Sequence, residues 1–276
     1  MAVAEPQPQQ TPREFLTSAR WTRGGEYTCL RVVNQRISMW DFHQRRLLVP
    51  DAAAGDLLEQ EILAAVDSAH LDAPVMVTVL CADNAYRIHV CKMPSLRMDV
   101  ASGNVQPISV LVHGRPRTNA HVKHVQWIQD RAPLESHARA RATALHLPEP
   151  FGEVLLHAAS TDGTTRLLEG LITNFFVLEN HGTLVTADAD ILPGSTRALV
   201  LEACSRLRIP VRLEAPCLQD AATWSAAFVT SVVKIIVPVR ALYTDEDDFV
   251  QTIPSSSPIV SNLRAAVLAD LQAPPT

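Results

Sequence analysis

Residues 169–176 read Glu-Gly-Leu-Ile-Thr-Asn-Phe-Phe. Its carboxylate, Glu169, ends an apolar run and directly precedes a strand rich in aromatic residues. A carboxylate fixed at such a place can keep a pyridine-type ring nitrogen protonated, which makes the ring an electron sink. The same residue is also typical of a strand cap or a salt bridge, so the stretch alone leaves both interpretations open.

A second motif follows downstream, where residues 192–197 read Leu-Pro-Gly-Ser-Thr-Arg and open a predicted helix. The free backbone N–H groups at a helix start and the positive end of the helix dipole bind phosphate well. Ser195 and Thr196 supply such amides, and the Thr196 hydroxyl is a further donor. An ordinary helix cap is the alternative interpretation.

Two cationic residues lie upstream. Lys123 follows a polar segment without periodicity, and a lysine at the mouth of a cleft can form a Schiff base with an aldehyde. Arg46, in the run Phe-His-Gln-Arg-Arg-Leu at 42–47, can clamp a phosphate in a bidentate manner. Taken singly, the lysine is more typical of a solvated surface and the arginine of a basic surface turn.

In this order the motifs resemble those of the class IV aminotransferase family, the fold-type IV enzymes that use pyridoxal 5'-phosphate (PLP). The resemblance covers roughly residues 20–245. The segments that carry it are Gly25–Arg31 with Cys29 where threonine is usual, His43-x-x-Arg46-Leu47, Lys123, residues 169–176, residues 192–197 and Pro238-Val239. The chain departs from the family at Val232, where a threonine is frequent, and in a longer separation between Lys123 and Glu169.

The resemblance implies an α+β fold, with a small N-terminal α+β domain, a larger C-terminal α/β barrel-like domain and a PLP cleft between them. It also implies a homodimer. The domain prediction is a flexible tail at 1–13, a small domain at 14–114, a linker at 115–122 and a PLP-binding domain at 123–272.

Site roles follow from the same resemblance. Lys123 is the expected catalytic lysine. The residues expected to bind the cofactor are Arg46, Glu169, Asn174, Ser195, Thr196 and Ser231. The residues expected to meet the substrate are Tyr27, Arg31 and Arg115, although a surface role for Arg115 or Arg117 stays open.

The implied reaction is transfer of an amino group between an amino acid and a 2-oxo acid through a Schiff base on Lys123. A PLP-dependent lyase of the aminodeoxychorismate lyase type is an alternative, because it needs the same lysine and glutamate. A non-catalytic aminotransferase-like protein is a third hypothesis.

Composition agrees with a globular enzyme. Hydrophobic residues make up 47% and charged residues 19% of the 276 residues, and the net charge of −5 gives no reason to expect nucleic acid as a partner. The five cysteines have no metal-site spacing. With no apolar run of about 18 residues and no signal-peptide pattern, we expect no membrane association and a cytoplasmic location.

Periodicity predicts a helix over 57–70 with Asp56 as its N-cap, and a polar turn at 82–84 between two strands. The remaining predicted strands lie at 28–33, 36–42, 75–81, 86–93, 105–114, 153–159, 173–180, 181–187, 210–216 and within 226–239. The remaining predicted helices lie at 193–208 and 260–272.

Overall fold

The computed structural model describes residues 3–4, 10–18, 25–98, 104–161, 163–246 and 248–272. Most of the predicted tail at 1–13 lies outside these residues. The chain forms two compact units, the first made of residues 1–95 and 122–130 and the second of residues 96–121 and 131–276. Within the described part of the chain, no helix has the length and apolarity needed to cross a membrane.

The first unit is a five-stranded sheet with flanking helices, in the strand order β1-β5-β4-β2-β3. Its elements are β1 (Val3–Ala4), α1 (Pro12–Leu16), β2 (Glu26–Val33), β3 (Arg36–Ile37), α2 (Trp40–Arg46), α3 (Ala52–Ala69), β4 (Val75–Ala82), β5 (Ala85–Lys92) and α4 (Gln126–Asp130). The β4–β5 hairpin confirms the predicted turn, because Asp83 and Asn84 both adopt positive φ, as a tight hairpin turn requires.

Two local predictions in the first unit are wrong. The helix α3 starts at Ala52, not at Leu57, because Asp51 is the N-cap and its Oδ1 accepts from Ala54 N at 2.8 Å. The predicted strand over 36–42 stops at Ile37. Met39 then adopts a left-handed conformation, and helix α2 follows it.

The second unit contains a nine-stranded sheet in the order β11-β10-β9-β12-β13-β6-β7-β8, and β14 pairs with β13. Its elements are β6 (Ile108–Val112), α5 (Ala132–Ala144), β7 (Glu153–Ala159), β8 (Thr165–Gly170), β9 (Asn174–Glu179), β10 (Leu184–Thr186), α6 (Ser195–Leu207), β11 (Val211–Leu213), a 3₁₀ helix (Leu218–Thr223), β12 (Trp224–Thr230), β13 (Val237–Thr244), β14 (Gln251–Thr252) and α7 (Pro258–Gln272).

Closure of this sheet makes the barrel. Strand β8 pairs with β9 through Glu169 and Asn174, which joins the two ends of the run β9-β12-β13-β6-β7-β8. Buried apolar side chains from these strands fill the core, among them Leu155, Phe175 and Val239. The predicted α+β fold with a barrel-like domain is confirmed.

The boundaries of the two units differ from the predicted domain boundaries at residues 114 and 123. Strand β6 pairs with β13 and β7, so it belongs to the barrel although it precedes residue 114. Residues 122–130 belong to the first unit, since Tyr27 N donates to Lys123 O at 2.8 Å and Val125 N donates to Gly25 O at 3.0 Å. Lys123 therefore lies in the smaller unit and not in the barrel.

Candidate active site

Lys123 is held against the edge of β2 in the first unit. The backbone bond from Tyr27 is followed by a β-bridge between Glu26 and His124, so the segment is fixed on both sides of the lysine. The Nζ atom lies 4.8 Å from the centroid of the Tyr27 ring. A cation over an aromatic face is stabilised without any hydrogen bond, which leaves the amine available for other contacts.

Helix α2 brings His43 and Arg46 to one side, three residues apart. Burial lowers the pKa of Arg46 to about 10, although Cys29 and Tyr27 oppose that shift. Burial also lowers the pKa of His43 to about 3, with smaller contributions from the positive charges of Arg46 and Lys123. His43 Nδ1 lies 2.7 Å from the Thr28 hydroxyl. The structure thus groups Lys123, Tyr27, Arg46 and a neutral His43.

Tyr27 and Arg31, the residues expected to meet the substrate, share one face of β2 because alternate residues of a strand point the same way. Tyr27 is buried and Arg31 is half-buried. In the second unit, Arg115 is exposed and makes no hydrogen bond or ion pair with the described residues. Nothing in its surroundings fixes its direction.

Glu169 is buried at the end of β8 and is held on both oxygens. Arg117 Nε donates to its Oε1 at 2.8 Å, and the backbone N–H of Leu192 donates to its Oε2 at 2.9 Å. The side chains of Arg117 and Glu169 are only 6% and 4% exposed, so this is a buried ion pair. Arg117 is also tied to Ala120 O at 2.7 Å. The carboxylate is therefore fixed in position by an arginine side chain and a backbone N–H group.

The start of α6 lies beside this carboxylate. Asn174 donates from Nδ2 to Leu192 O at 2.7 Å, which holds the loop before the helix. A Cβ atom at position 194 would overlap with Asn174 Oδ1, so a larger residue there would displace the Asn174 side chain that holds Leu192 O. Gly194 is the N-cap and offers no side-chain acceptor, whereas Ser195 and Thr196 are buried in the first turn. Uncapped N–H groups at a buried helix start suit a phosphate.

A hydroxyl without a partner completes this region. The Thr230 side chain, at the end of β12 and 1% exposed, makes no hydrogen bond with the described residues, and its backbone is in register with that of Asn174. Ser231 is half-buried, and its Oγ accepts from Lys234 N at 3.1 Å. A buried orphan hydroxyl is costly unless a ligand satisfies it.

Sequence reasoning missed one of these features. It considered a substrate contact or a surface role for Arg117, whereas the fold pairs Arg117 with Glu169, which is distant along the chain. Beside Val232 it considered both Thr230 and Ser231 and assigned Ser231 to the cofactor. The only sequence signal for the ion pair was an arginine in a polar segment, which does not identify its partner.

The family model for amino-transferase class IV matches residues 25–242. The match spans most of the chain, and the chain belongs to the class IV aminotransferases, a family of PLP-dependent enzymes. The family resemblance seen in the sequence is confirmed, and with it the expectation of an enzyme.

Solved structures share the fold. A candidate 4-amino-4-deoxychorismate lyase from Legionella pneumophila is 18% identical with a TM-score of 0.67, covering 97% of this chain and 99% of that one. The branched-chain amino acid aminotransferase of Escherichia coli is 17% identical with a TM-score of 0.66, covering 89% and 84%. A hypothetical aminotransferase from Mycobacterium tuberculosis, in a form with α-ketoglutarate and PMP bound, is 19% identical with a TM-score of 0.67, covering 90% and 89%. A search of the curated proteins found no match.

Proposed function

We propose that this chain is a PLP-dependent aminotransferase that moves an amino group between an amino acid and a 2-oxo acid, with Lys123 as its catalytic lysine. The surroundings of the three lysines carry the proposal. Lys92 is exposed at the end of β5, and Lys234 donates to Gly152 O at 2.8 Å. Only Lys123 has its amine over an aromatic ring and in electrostatic contact with a buried histidine, His43.

The cofactor supplies an electron sink for the electron pair left at the substrate Cα. Lys123 Nζ would hold the cofactor aldehyde between turnovers and would act as the base that takes the proton from the substrate Cα. Glu169 would face the ring nitrogen with a carboxylate that Arg117 and Leu192 hold in place.

The residues assigned to the phosphate have the right chemistry for it. The uncapped start of α6, with Ser195 and Thr196, offers N–H and O–H donors, and Thr230 and Ser231 offer further hydroxyls. Asn174 positions the loop that carries these donors. Arg46 is also assigned to the cofactor phosphate. Fixing the cofactor in this way contributes to catalysis because positioning alone is worth up to about 7–11 kcal/mol.

The substrate residues and the assembly belong to the same proposal. Tyr27 and Arg31 shape the substrate pocket from β2, and Arg115 meets a substrate carboxylate. The protein is a homodimer, which light scattering on the purified protein would measure directly.

Borohydride trapping tests the assignment of the lysine. We expect the purified protein to be yellow when loaded with PLP, and reduction to fix the label on one lysine. Peptide mapping distinguishes Lys92, Lys123 and Lys234, the only lysines in the chain. Label on Lys123 supports the proposal, and label on either of the others refutes it while leaving the fold unchanged.

Dependence on an acceptor separates transamination from lysis. The likeness to the Legionella protein motivates this comparison. A panel of amino acids is incubated with the enzyme, with and without 2-oxo acids, and product is measured over many turnovers. A transaminase stops after one turnover when no acceptor is present. Sustained product release without an acceptor would replace the transaminase proposal with the lyase.

A further inference from the structure

Two imidazoles and a carboxylate meet on the second unit, and none of the three is among the residues assigned above. His113 follows β6, His137 lies in α5, and Asp245 follows β13. One ligand atom from each lies within 4.8 Å of the others. Three segments that are distant in the sequence converge here, so the cluster is a product of the fold and was invisible to motif reading.

The cluster is ordered around the carboxylate. His113 Nδ1 lies 2.5 Å from Asp245 Oδ2, and His137 Nε2 lies 2.6 Å from Asp245 Oδ1. The two rings stack at a centroid separation of 4.0 Å and an interplanar angle of 17°. Both rings therefore direct one nitrogen at the same carboxylate. The His113 side chain is 25% exposed and the His137 side chain is 42% exposed, so solvent reaches both rings.

We propose that His113, His137 and Asp245 form a binding site for a divalent transition-metal ion of the Zn²⁺ class, with water completing the coordination. Imidazole nitrogen and carboxylate oxygen are ligands that zinc accepts, and three protein ligands with one open position make a common zinc arrangement. Nothing in this proposal depends on the PLP chemistry.

Binding a tetrahedral zinc ion requires small changes in the distances between the three ligand atoms. Ligand atoms about 2.0–2.1 Å from a tetrahedral zinc are about 3.3 Å from each other. The nitrogen–oxygen distances must therefore open from 2.5 and 2.6 Å, and the widest separation, within 4.8 Å, must close. The stacked rings must also tilt toward a common point. Both changes involve side chains that are partly exposed.

The neighbouring charges favour a cation. Glu246 follows Asp245, and Arg141, the nearby cation on α5, is already paired with Asp248 at 2.5 Å and bound to Asp245 O at 3.3 Å. A third imidazole, His157 on β7, lies near enough to interact electrostatically with His113 and Asp245. Its Nδ1 is buried and makes no hydrogen bond with the described residues. His157 therefore has a ring nitrogen without a hydrogen bond to the described residues, close to the proposed metal ligands.

Metal titration of the full-length, PLP-loaded protein tests the site. Zn²⁺ affinity is measured by competition with a chromogenic chelator, and Co²⁺ is used as a spectroscopic probe. We expect one equivalent to bind, and we expect His137→Ala and Asp245→Asn each to weaken binding by at least about tenfold. His181→Ala is the matched control, because His181 also lies beside a carboxylate, Glu179 at 3.0 Å, without a second histidine; its affinity should not change.

Three results would overturn the site. Metal binding could survive both substitutions, or the Co²⁺ spectrum could show thiolate charge-transfer bands, which would point to the free cysteines. The third is absence of stoichiometric binding in the wild type, which would reduce the cluster to a hydrogen-bonded structural contact. If His137→Ala, a change within helix α5, fails to fold, the Asp245→Asn variant still tests the site. Zn²⁺ should also raise the melting temperature of the wild type and not of Asp245→Asn.

Discussion

Lys123 and Glu169 differ in how their surroundings hold them. The lysine amine lies 4.8 Å from the centroid of the Tyr27 ring, and it has no hydrogen-bond or ion-pair partner among the described residues. Glu169 accepts hydrogen bonds on both carboxylate oxygens and is paired with a buried arginine. One group is free to react and the other is fixed.

This difference matches the proposed roles. A group that forms and breaks covalent bonds and moves protons must leave its resting contacts, so strong hydrogen bonds would have to be broken in every cycle. A group that only orients a ring gains from being held rigidly. Substitution of Lys123 should therefore affect mainly turnover, and substitution around Glu169 should affect stability.

The largest effect is expected at Lys123. In the Lys123→Ala variant, turnover should fall by on the order of 10³-fold, because the general base is removed. Stability should change little, since the amine makes no hydrogen bond with the described residues. Turnover of amino donor and thermal unfolding measured on the same preparations check both statements.

Lys92→Ala is the matched control for that variant, because Lys92 is exposed in the same unit. Its turnover should equal that of the wild type. Wild-type turnover in Lys123→Ala would show that the amine over Tyr27 is only a structural contact. Lys123 would then not be the reactive group that we contrast with Glu169.

At Arg117, in contrast to Lys123, we expect a large loss of stability. Replacement by methionine leaves the buried Glu169 carboxylate without its counter-charge, which should lower the free energy of unfolding by about 3–5 kcal/mol. The double variant Arg117→Met, Glu169→Met should lose less than the single variants together, because no buried charge remains. Urea unfolding of all three proteins measures the coupling.

Arg212→Met is the matched control for the buried pair. Arg212 pairs with Glu179 but is 43% exposed, and a surface pair of this kind is worth about 0–1 kcal/mol. If Arg117→Met were as mild as Arg212→Met, Glu169 would not be the rigid anchor described above.

A smaller effect is expected from His43, whose pKa is lowered to about 3 chiefly by burial. The unfolded chain binds this proton near the ordinary value of 6.5, so the unfolded state is favoured as the pH falls from 6.5 toward 3. The contribution amounts to about 1.4 kcal/mol per pH unit within that window. His43→Gln should therefore lose less stability than the wild type between pH 6.5 and 4.5.

Urea unfolding at several pH values measures this difference, and identical pH profiles for the two proteins would contradict it. The outcome also bears on Lys123. A neutral His43 adds no positive charge beside the amine, whereas a protonated one would repel it.

The sequence predicts features that are local and misses those that join distant segments. The Asp83-Asn84 turn, the extent of β7 and the start of α6 at Gly194 follow from nearby residues. The buried pair of Arg117 with Glu169 and the His113–His137–Asp245 cluster depend on barrel closure, which no short pattern contains. The strand β8 was also missed, because its apolar run is short and blends into the next strand.

The N-terminus of α3 shows why element ends are hard to predict even when the element is evident. Both Asp51 and Asp56 are capping residues by type, and the apolar periodicity begins after the second. The helix nevertheless starts at Ala52, because three alanines are good helix formers and the Asp51 carboxylate accepts from Ala54 N at 2.8 Å.

The smallest expected effect tests that assignment. Asp51→Ala should lower the free energy of unfolding by about 1 kcal/mol, the usual value of an N-cap, whereas Asp56→Ala should change it by less than about 0.5 kcal/mol. Urea unfolding of the two variants distinguishes the caps, and a larger loss for Asp56→Ala would restore the boundary predicted from the sequence. Neither variant should alter turnover, because neither side chain touches Lys123 or Glu169. Asp51→Ala should lose stability and keep its activity, whereas Lys123→Ala should lose activity and keep its stability. This pair of results would separate a residue that holds the fold from the residue that reacts.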